Sequence, residues 1–391
     1  MPWMKYPYQP GFEDNEPMTW VMPTTRDVFV VQFCGRGRYA VIQEELAGGV
    51  PVANVVDVRA GTARVLDGYR VLFVEPDAPV AWVEPVDEGV FVDDGLADVF
   101  DHVPSKLLRV RLDNGSAPRA SDGRWEPIKS SSGLSAYLIA DGSVGGGPSS
   151  LAFGREGESE VVTATLENLG FTTFVPVGWS PSGRYFAIEG LVGPAGENGT
   201  GSAPVQSDGL ATEHRLVVLD GRSGKVIAYP WLPAYGAAPA AVWAQDADEL
   251  VWLQVANVEP AADKPNASKL TIGCYSLRIT PDGRWQGPRL ASGDPIVVDA
   301  GADSLRRIVV TGLGTSSEGP LLYADRAVYR LEGGRLRKLR TVDADNAVPA
   351  WHRDYGLVWA EIAVRGEAGG PVLKAADLSG SGEHIIWSGL K

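Results

Sequence analysis

The sequence predicts an all-β fold, a single β-propeller of seven four-stranded antiparallel blades. Three observations support this prediction: a turn motif that recurs along the chain, a hairpin pattern that follows each copy of it, and a composition rich in both apolar residues and turn formers. The 391 residues include 47 Gly and 28 Pro, yet 44% of the chain is hydrophobic. Because a disordered chain is not so apolar, the Gly and Pro residues must separate many short buried elements.

The recurring motif is the end of one apolar strand, a tight turn and a second apolar strand. Its clearest copy is WSPSGRYFAI from Trp179, and a near copy is FCGRGRYAVI from Phe33. The seven copies begin at or near Phe33, Trp82, Lys129, Trp179, Trp243, Val298 and Trp351. Their average spacing of about 53 residues is typical of one propeller blade and is shorter than an independent domain.

The second pattern is a pair of alternating apolar segments joined by a Gly-containing turn. It follows each copy of the motif, as in LVVLDGRSGKVI from Leu216. Alternation with a period of two residues and this turn chemistry predict an antiparallel hairpin. Two hairpins in each period make four strands, and four-stranded blades around a channel form a propeller. A ring of six or eight blades is the less favoured alternative.

The repeats also predict the domain boundaries. Residues 1–26 are predicted to be an N-terminal extension, and residues 27–391 a single seven-bladed propeller. The first repeat opens with an inner strand and the last closes with an outer one, so the ring needs no shared closing blade. A strand-like run, YRVLFVEP from Tyr69, leaves the limits of the second blade open, and the register near Val298 is open as well.

The WSPSGRYFAI segment resembles the repeat of TolB-like and WD-repeat-like β-propellers, whose blades carry a Trp-Ser-Pro-Asp-Gly turn followed by an apolar strand. Trp179, Ser180, Pro181 and Gly183 match that turn, while Ser182 stands where the family has Asp. The resemblance implies the propeller fold. It leaves the function open, because propellers serve as scaffolds, receptors and enzymes alike.

The predicted binding face is the one that carries the long connections between hairpins and between blades. Residues 190–212 and 256–269 are long loop-like stretches on that face, and loops on a rigid scaffold commonly carry function. Exposed aromatic side chains in loops favour a protein or sugar partner, although packing between blades is the alternative. The candidate binding residues on this face are Trp231, Tyr235, Glu44 and Glu45.

An acidic stretch in the second repeat is the candidate metal site. From Glu75 to Asp101 there are nine acidic residues and no Lys or Arg. Clustered carboxylates are suited to calcium, although the spacing is not that of an EF-hand loop and a solvated acidic edge is the alternative. The candidate ligands are Asp93, Asp94, Asp98 and Asp101. Calcium is the one cofactor that we consider, and otherwise we expect none.

Charge and cysteine content exclude several classes of protein. A net charge of −14 disfavours nucleic acid and anionic membranes as partners. Cys34 and Cys274 have neither the spacing of a zinc site nor that of a disulfide framework. No stretch is long and apolar enough to span a membrane. We expect a bacterial monomer, extracytoplasmic if a leader or anchor has been removed.

The sequence contains no convincing catalytic motif. There is no G-x-S-x-G, and the four His residues have no metal-binding spacing. SDGRW from Ser121 and TPDGRW from Thr280 resemble the Asp boxes of sialidases, which are structural in those enzymes. We therefore expect a non-enzymatic propeller that recognises a protein or a cell-envelope component. The alternative is a glycosidase or sialidase-like enzyme with carboxylates at the channel mouth.

Overall fold

A computed structural model describes residues 28–45, 52–86, 107–121, 123–139, 148, 150–155, 162–164, 171–192, 213–228, 241–260, 267–301, 310–342, 349–361, 372–379 and 381–389. Over these residues the chain forms seven antiparallel sheets and no helix, so none of them contains a helix that could cross a membrane. The seven-bladed β-propeller is confirmed.

The first four blades each take strands that follow one another along the chain. Blade 1 contains β1 (Val28–Cys34), β2 (Tyr39–Glu45), β3 (Val52–Asp57) and β4 (Thr62–Leu66). Blade 2 contains β5 (Tyr69–Val74), β6 (Val80–Pro85), β7 (Leu108–Arg111) and β8 (Arg119–Ala120). Blade 3 contains β9 (Ile128–Lys129), β10 (Leu134–Ile139), β11 (Ser150–Arg155) and β12 (Val162–Thr163). Blade 4 contains β13 (Phe171–Trp179), β14 (Tyr185–Val192), β15 (Glu213–Asp220) and β16 (Val226–Ala228).

The last three blades follow the same order. Blade 5 contains β17 (Val242–Trp243), β18 (Glu249–Pro260), β19 (Ala267–Ile279), β20 (Trp285–Leu290) and β21 (Ile296–Gly301). Blade 6 contains β22 (Val310–Ser316), β23 (Gly319–Ala324), β24 (Ala327–Glu332) and β25 (Arg335–Thr341). Blade 7 contains β26 (Ala350–His352), β27 (Gly356–Glu361), β28 (Val372–Ala376) and β29 (His384–Ser388).

Apolar packing between the blades closes the ring. The first strands of neighbouring blades contact one another: β1 contacts β5, and β13 contacts β17. The first strands therefore surround the axis of the propeller. Blade 7 packs on blade 1 through Val358 and Leu373 against Ile42 and Val56, all of them buried. Full burial of such a side chain stabilises the fold by roughly 1.5–3 kcal/mol. Among the described residues this packing, rather than a shared blade, joins the two ends.

Tryptophans at the ends of two first strands connect neighbouring blades. The indole nitrogen of Trp179 donates to the carbonyl oxygen of Ile128 in blade 3, at 2.7 Å. The indole nitrogen of Trp243 donates in the same way to the carbonyl oxygen of Gly178 in blade 4, at 2.9 Å. Each ring therefore fills the space between two blades and satisfies a backbone group of its neighbour.

A second repeated feature, which the sequence analysis missed, lies on the second strands. In five blades four apolar residues are followed by Glu or Gln, and these residues are Gln43, Glu84, Glu189, Gln254 and Glu361. The amide oxygen of Gln43 accepts a hydrogen bond from the backbone N–H of Val71 in blade 2, at 2.6 Å. The β5–β6 pairing shifts register between Val71 and Phe73. At this shift, the side chain of blade 1 satisfies a buried donor of blade 2.

Blade 2 corrects one predicted position. Trp82 was expected to begin the first hairpin of its blade, but it lies on the second strand, β6, opposite Phe73 of β5. The first strand is the run from Tyr69 that the sequence analysis left unassigned. This strand is followed by Glu75 and Pro76 and so has no aromatic residue at its end. The apolar segment around Trp82, which is the second strand of the blade, was therefore predicted to be the first.

Blade 5 corrects a second predicted position, the start of blade 6. The segment near Val298 was expected to open blade 6, but it lies in β21, which pairs with residues 267–272 of β19. β20 pairs with the other half of β19, so β20 and β21 form one outer edge interrupted at 291–295. Blade 6 begins only at Val310. Much of the predicted loop 256–269 is strand instead, because β18 and β19 continue as paired strands to Pro260 and from Ala267.

Candidate functional site

Most of the residues predicted to bind a partner or calcium lie outside the described residues. These are Trp231, Tyr235, Asp93, Asp94, Asp98 and Asp101. Glu44 and Glu45 are the last two residues of β2, paired with Phe29 and Val28 of β1, and their side chains are not described. Within the ranges given above, no three His, Cys, Asp or Glu side chains form a candidate metal site. The binding face and the calcium site therefore stay predictions.

The described residues form a different candidate site, a cleft of about 230 Å³ among blades 1, 2 and 3, which we call the inter-blade cleft. It lies at the turns that follow the first strands, on the face opposite the long connections. Blade 1 contributes the β1–β2 turn, blade 2 the β5–β6 turn, and blade 3 the residues that lead into β9. Its lining residues are Arg36, Glu75, Pro76, Asp77, Ala78, Trp125, Glu126, Pro127, Ile128 and Lys129.

Backbone hydrogen bonds between two turns hold the rim of the cleft. The β1–β2 turn is left-handed at Arg36 (φ 57°) and at the glycines on either side of it. This conformation lets the N–H of Arg36 donate to the carbonyl of Pro76 at 2.7 Å, and the N–H of Gly35 to that of Ala78 at 3.1 Å. The side chain of Arg36 also pairs with Asp77 at 3.0 Å. The rim is fixed without a ligand.

Glu75 is the buried acid at the base of the cleft, with a side chain only 2% exposed. One carboxylate oxygen accepts the indole N–H of Trp82 at 3.0 Å, and the other accepts the backbone N–H of Glu126 at 2.9 Å. The guanidinium of Arg109 lies 3.5 Å away. Burial raises the pKa of Glu75 to about 7, although the N–H of Glu126, the charge of Arg109 and the N–H of Trp82 oppose the shift. The carboxyl group joins blade 2 to blade 3.

Glu126 is the second carboxylate of the cleft, and it is shared by two arginines of β7. Its Oε1 accepts from Arg109 at 2.5 Å and from Arg111 at 3.1 Å. Arg111 also pairs with Asp113 at 2.7 Å, and this hydrogen bond holds the pKa of Asp113 below its usual value. The arginine charges are thus neutralised by carboxylates at the cleft.

Trp125 forms an apolar wall with one unsatisfied polar atom. Its ring stacks on Phe73 at 5.6 Å between centroids, and Phe73 stacks on Trp82 at 5.5 Å. The backbone N–H of Trp125 donates to the carbonyl of Leu138 at 2.9 Å, which fixes the residue against β10. The side chain is 4% exposed, and its indole nitrogen has no hydrogen-bond partner among the described residues. Buried donors of this kind are rare.

The cleft was not predicted from the sequence. Glu75 was counted only within an acidic stretch and Trp125 only as the end of the SDGRW segment, while Glu126 and Arg36 were not candidate site residues. The hydrogen bond between Glu75 and Glu126 joins residues 51 positions apart in different blades, so no local motif links them. Glu-Pro pairs at 75–76 and 126–127, each beside a first strand, are one local signal that they share.

A second cleft, of about 430 Å³, lies between blades 6 and 7. Its most buried charge is the side chain of Arg330, which pairs with both Glu318 and Glu332. The neighbouring Arg340 pairs with Glu383 at 2.9 Å, and its guanidinium lies 4.7 Å from the ring centre of Trp359. These pairings give the basic residues a structural role at the blade edge.

Comparisons with known proteins show a likeness of fold. No family model and no curated protein match the sequence. TolB from Acinetobacter baumannii is 13% identical, over 66% of this chain and 53% of TolB, with a TM-score of 0.31. Kuenenia stuttgartiensis hydrazine synthase is 11% identical, over 92% of this chain and 95% of that chain, with a TM-score of 0.43. A puromycin hydrolase is 14% identical, over 78% and 45%, with a TM-score of 0.40.

The chain spans about half the length of TolB and of the puromycin hydrolase. At these values the likeness carries no argument about activity, substrate or partner. The resemblance of this chain to TolB-like propellers is one of fold.

Proposed function

We propose that this propeller is a binding protein, and that its inter-blade cleft takes a polar group of a protein or cell-envelope partner. The observation that carries the proposal is the indole N–H of Trp125, a residue that lines the cleft, because this buried donor has no hydrogen-bond partner among the described residues. A buried donor without an acceptor costs about 1–3 kcal/mol. A partner that supplies an acceptor after a small movement of the ring recovers that free energy, which favours binding at the cleft.

The rigidity of the rim supports the same proposal. The turns of blades 1 and 2 are held together by two backbone hydrogen bonds and by the pair of Arg36 with Asp77. A site that is already ordered loses little conformational entropy on binding. Arg36 keeps 69% of its side chain exposed, so its outer nitrogens are open to a partner.

Photo-cross-linking tests this proposal. The cross-linking amino acid p-benzoylphenylalanine would replace Lys129 at the cleft, Tyr235 on the predicted loop-rich face, or Arg335 on the outer strand of blade 6. The three variants would be expressed in the native host and irradiated, and their adducts compared. We expect a discrete adduct from position 129 and none from position 335. Equal adducts at 129 and 335, or none at 129, would contradict binding at the cleft.

The loop-rich face stays part of the proposal as a second contact surface. Trp231, Tyr235, Glu44 and Glu45 are its proposed binding residues, and an adduct from position 235 would support them. We further propose a monomer that does not bind nucleic acid. The charge of −14 supports the second point, because phosphate groups are repelled.

Calcium binding by Asp93, Asp94, Asp98 and Asp101 is a separate proposal. A bound ion raises the melting temperature, since it binds the folded state alone. The melting temperature should rise at millimolar calcium, and the rise should vanish when Asp93 and Asp94 are replaced by Asn. A melting temperature that does not respond to calcium would remove the proposal.

One observation favours a second candidate function, a glycosidase. Glu75, with its pKa raised to about 7, lies beside Glu126, and such enzymes pair a protonated acid with a carboxylate. Against it, both oxygens of Glu75 already accept hydrogen bonds within the protein. Turnover of a panel of 4-methylumbelliferyl glycosides that is lost in Glu75→Gln would support the enzyme, and the absence of turnover would exclude it.

A further inference from the structure

We propose that the ligand of the inter-blade cleft is a neutral sugar unit, held by hydrogen bonds rather than by ion pairs. This inference rests on the proposed function, because it names the chemical class that the same cleft takes. Three features of the cleft support it: the charges of Arg36, Asp77 and Glu126 are paired, its remaining hydrogen-bonding groups include both donors and acceptors, and its volume is small.

The pairing of charges argues against an ionic ligand. Arg36 is paired with Asp77, and Glu126 is shared by Arg109 and Arg111. A charged ligand would have to lose its hydration without meeting an unpaired counter-charge, which is costly in a partly buried site. A neutral ligand avoids that cost.

The hydrogen-bonding groups that remain are of both kinds. The indole nitrogen of Trp125, a residue that lines the cleft, is a buried donor without a partner among the described residues, and a ligand would reach it after a small movement of the ring. Asp77 and Glu126 each use one carboxylate oxygen in the contacts described above, which leaves a second oxygen as acceptor on each. A ligand that complements this set must both accept and donate. Sugar hydroxyl groups do both, because each has one O–H and two lone pairs.

The small volume of the cleft suits a single sugar ring. At about 230 Å³ it is smaller than the 300–1,000 Å³ that is typical of pockets for drug-sized ligands. Pro76, Pro127 and Ile128 supply apolar wall beside the polar groups. The C–H face of a sugar ring can pack on such a wall while its hydroxyl groups reach the carboxylates.

The first test is binding of the full chain to a printed array of neutral, acidic and basic oligosaccharides. Trialanine is included as a zwitterionic probe of similar size. We expect neutral oligosaccharides to be retained. Retention of charged glycans or of trialanine alone would overturn the sugar assignment, and so would retention of nothing.

Matched variants locate the binding. Trp125→Phe removes the indole N–H of a residue that lines the cleft, and Trp285→Phe makes the same change on the exposed outer strand of blade 5. For the best neutral oligosaccharide, measured by calorimetry, we expect Trp125→Phe to weaken binding by about tenfold, as for one lost hydrogen bond. Trp285→Phe should change it less than twofold, and thermal melting establishes that both variants fold. Equal affinities for the two variants would overturn the inference.

Failure of this inference is distinguishable from failure of the proposed function. A cross-link from position 129 without any retained glycan would support binding at the cleft but contradict the sugar as its ligand. The absence of both would reject both.

Discussion

The indole nitrogen of Trp243 lies 2.9 Å from the carbonyl oxygen of Gly178, so a side chain of blade 5 closes a hydrogen bond to the first strand of blade 4. Trp179 does the same to blade 3, about one blade period earlier in the chain. In blades 4 and 5 the tryptophan of the recurring motif therefore also joins neighbouring blades.

Replacing Trp243 with Phe should destabilise the propeller. The change removes a buried hydrogen bond and part of a ring that is only 8% exposed, so we expect a loss of about 2–4 kcal/mol in the free energy of unfolding. Trp285→Phe, on the exposed outer strand, is the control and should cost little. Urea denaturation of both proteins gives the comparison, and equal midpoints would contradict the role of Trp243.

How much of this architecture the sequence predicts depends on how local each signal is. The turn at Trp179 is recognisable because its Pro, Gly and aromatic residues are adjacent in the chain. The first hairpin of blade 2 was misplaced because its first strand ends at Val74 and is followed by Glu75 instead of an aromatic residue. The segment near Val298 has the alternation of a strand, and alternation does not say which strand will be its partner.

The candidate site could not be predicted from the sequence, because the contacts that form it are not local. The hydrogen bond of Glu75 to Glu126 and that of Gln43 to Val71 both cross between blades. Neither pair is visible until the blades are packed. The lack of a partner for the indole nitrogen of Trp125 among the described residues depends on the packing around it and not on its neighbours in sequence.

The hydrogen bond from the N–H of Val71 to the side chain of Gln43 should contribute measurably to the free energy of unfolding. Gln43→Leu leaves the N–H of Val71 buried without its acceptor, which costs about 1–3 kcal/mol. Gln286→Leu is the control, because Gln286 is exposed on the outer strand β20. Urea denaturation should separate the two variants. If Gln43→Leu is as stable as the control, the stability of blade 2 does not depend on this hydrogen bond.

Two glycines at the same turn position should respond differently to substitution by Ala. Gly133 and Gly183 both have positive φ values, 81° and 68°, so each change carries a strain of about 1–2 kcal/mol. A Cβ at Gly133 meets nothing within 4 Å, whereas at Gly183 it would lie 2.6 Å from the backbone nitrogen of Ser132. Gly183→Ala should therefore lower the melting temperature further than Gly133→Ala does. Equal decreases in melting temperature would mean that the turns of blades 3 and 4 can move apart without a loss of stability.

The pKa of Glu75 predicts a particular dependence of stability on pH. The carboxyl titrates near 4.5 when exposed and at about 7 in the folded protein, so the folded state holds its proton more tightly. The contribution is fully present below pH 4.5 and is lost as the pH rises to about 7, by about 3 kcal/mol. Glu75→Gln does not titrate, so the difference in unfolding free energy between the two proteins should change over this window. A constant difference would contradict the burial of the carboxyl.

The most direct test of the binding cleft is the indole resonance of Trp125. Labelling the 12 Trp residues with ¹⁵N at the indole gives a small spectrum, in which Trp125→Phe identifies one signal. The partner captured by cross-linking from position 129 is then titrated into the labelled protein. We expect the Trp125 signal to move strongly, because its N–H gains an acceptor, while the Trp285 signal stays in place. A Trp125 signal that does not move at a saturating concentration of that partner would contradict the assignment of this cleft.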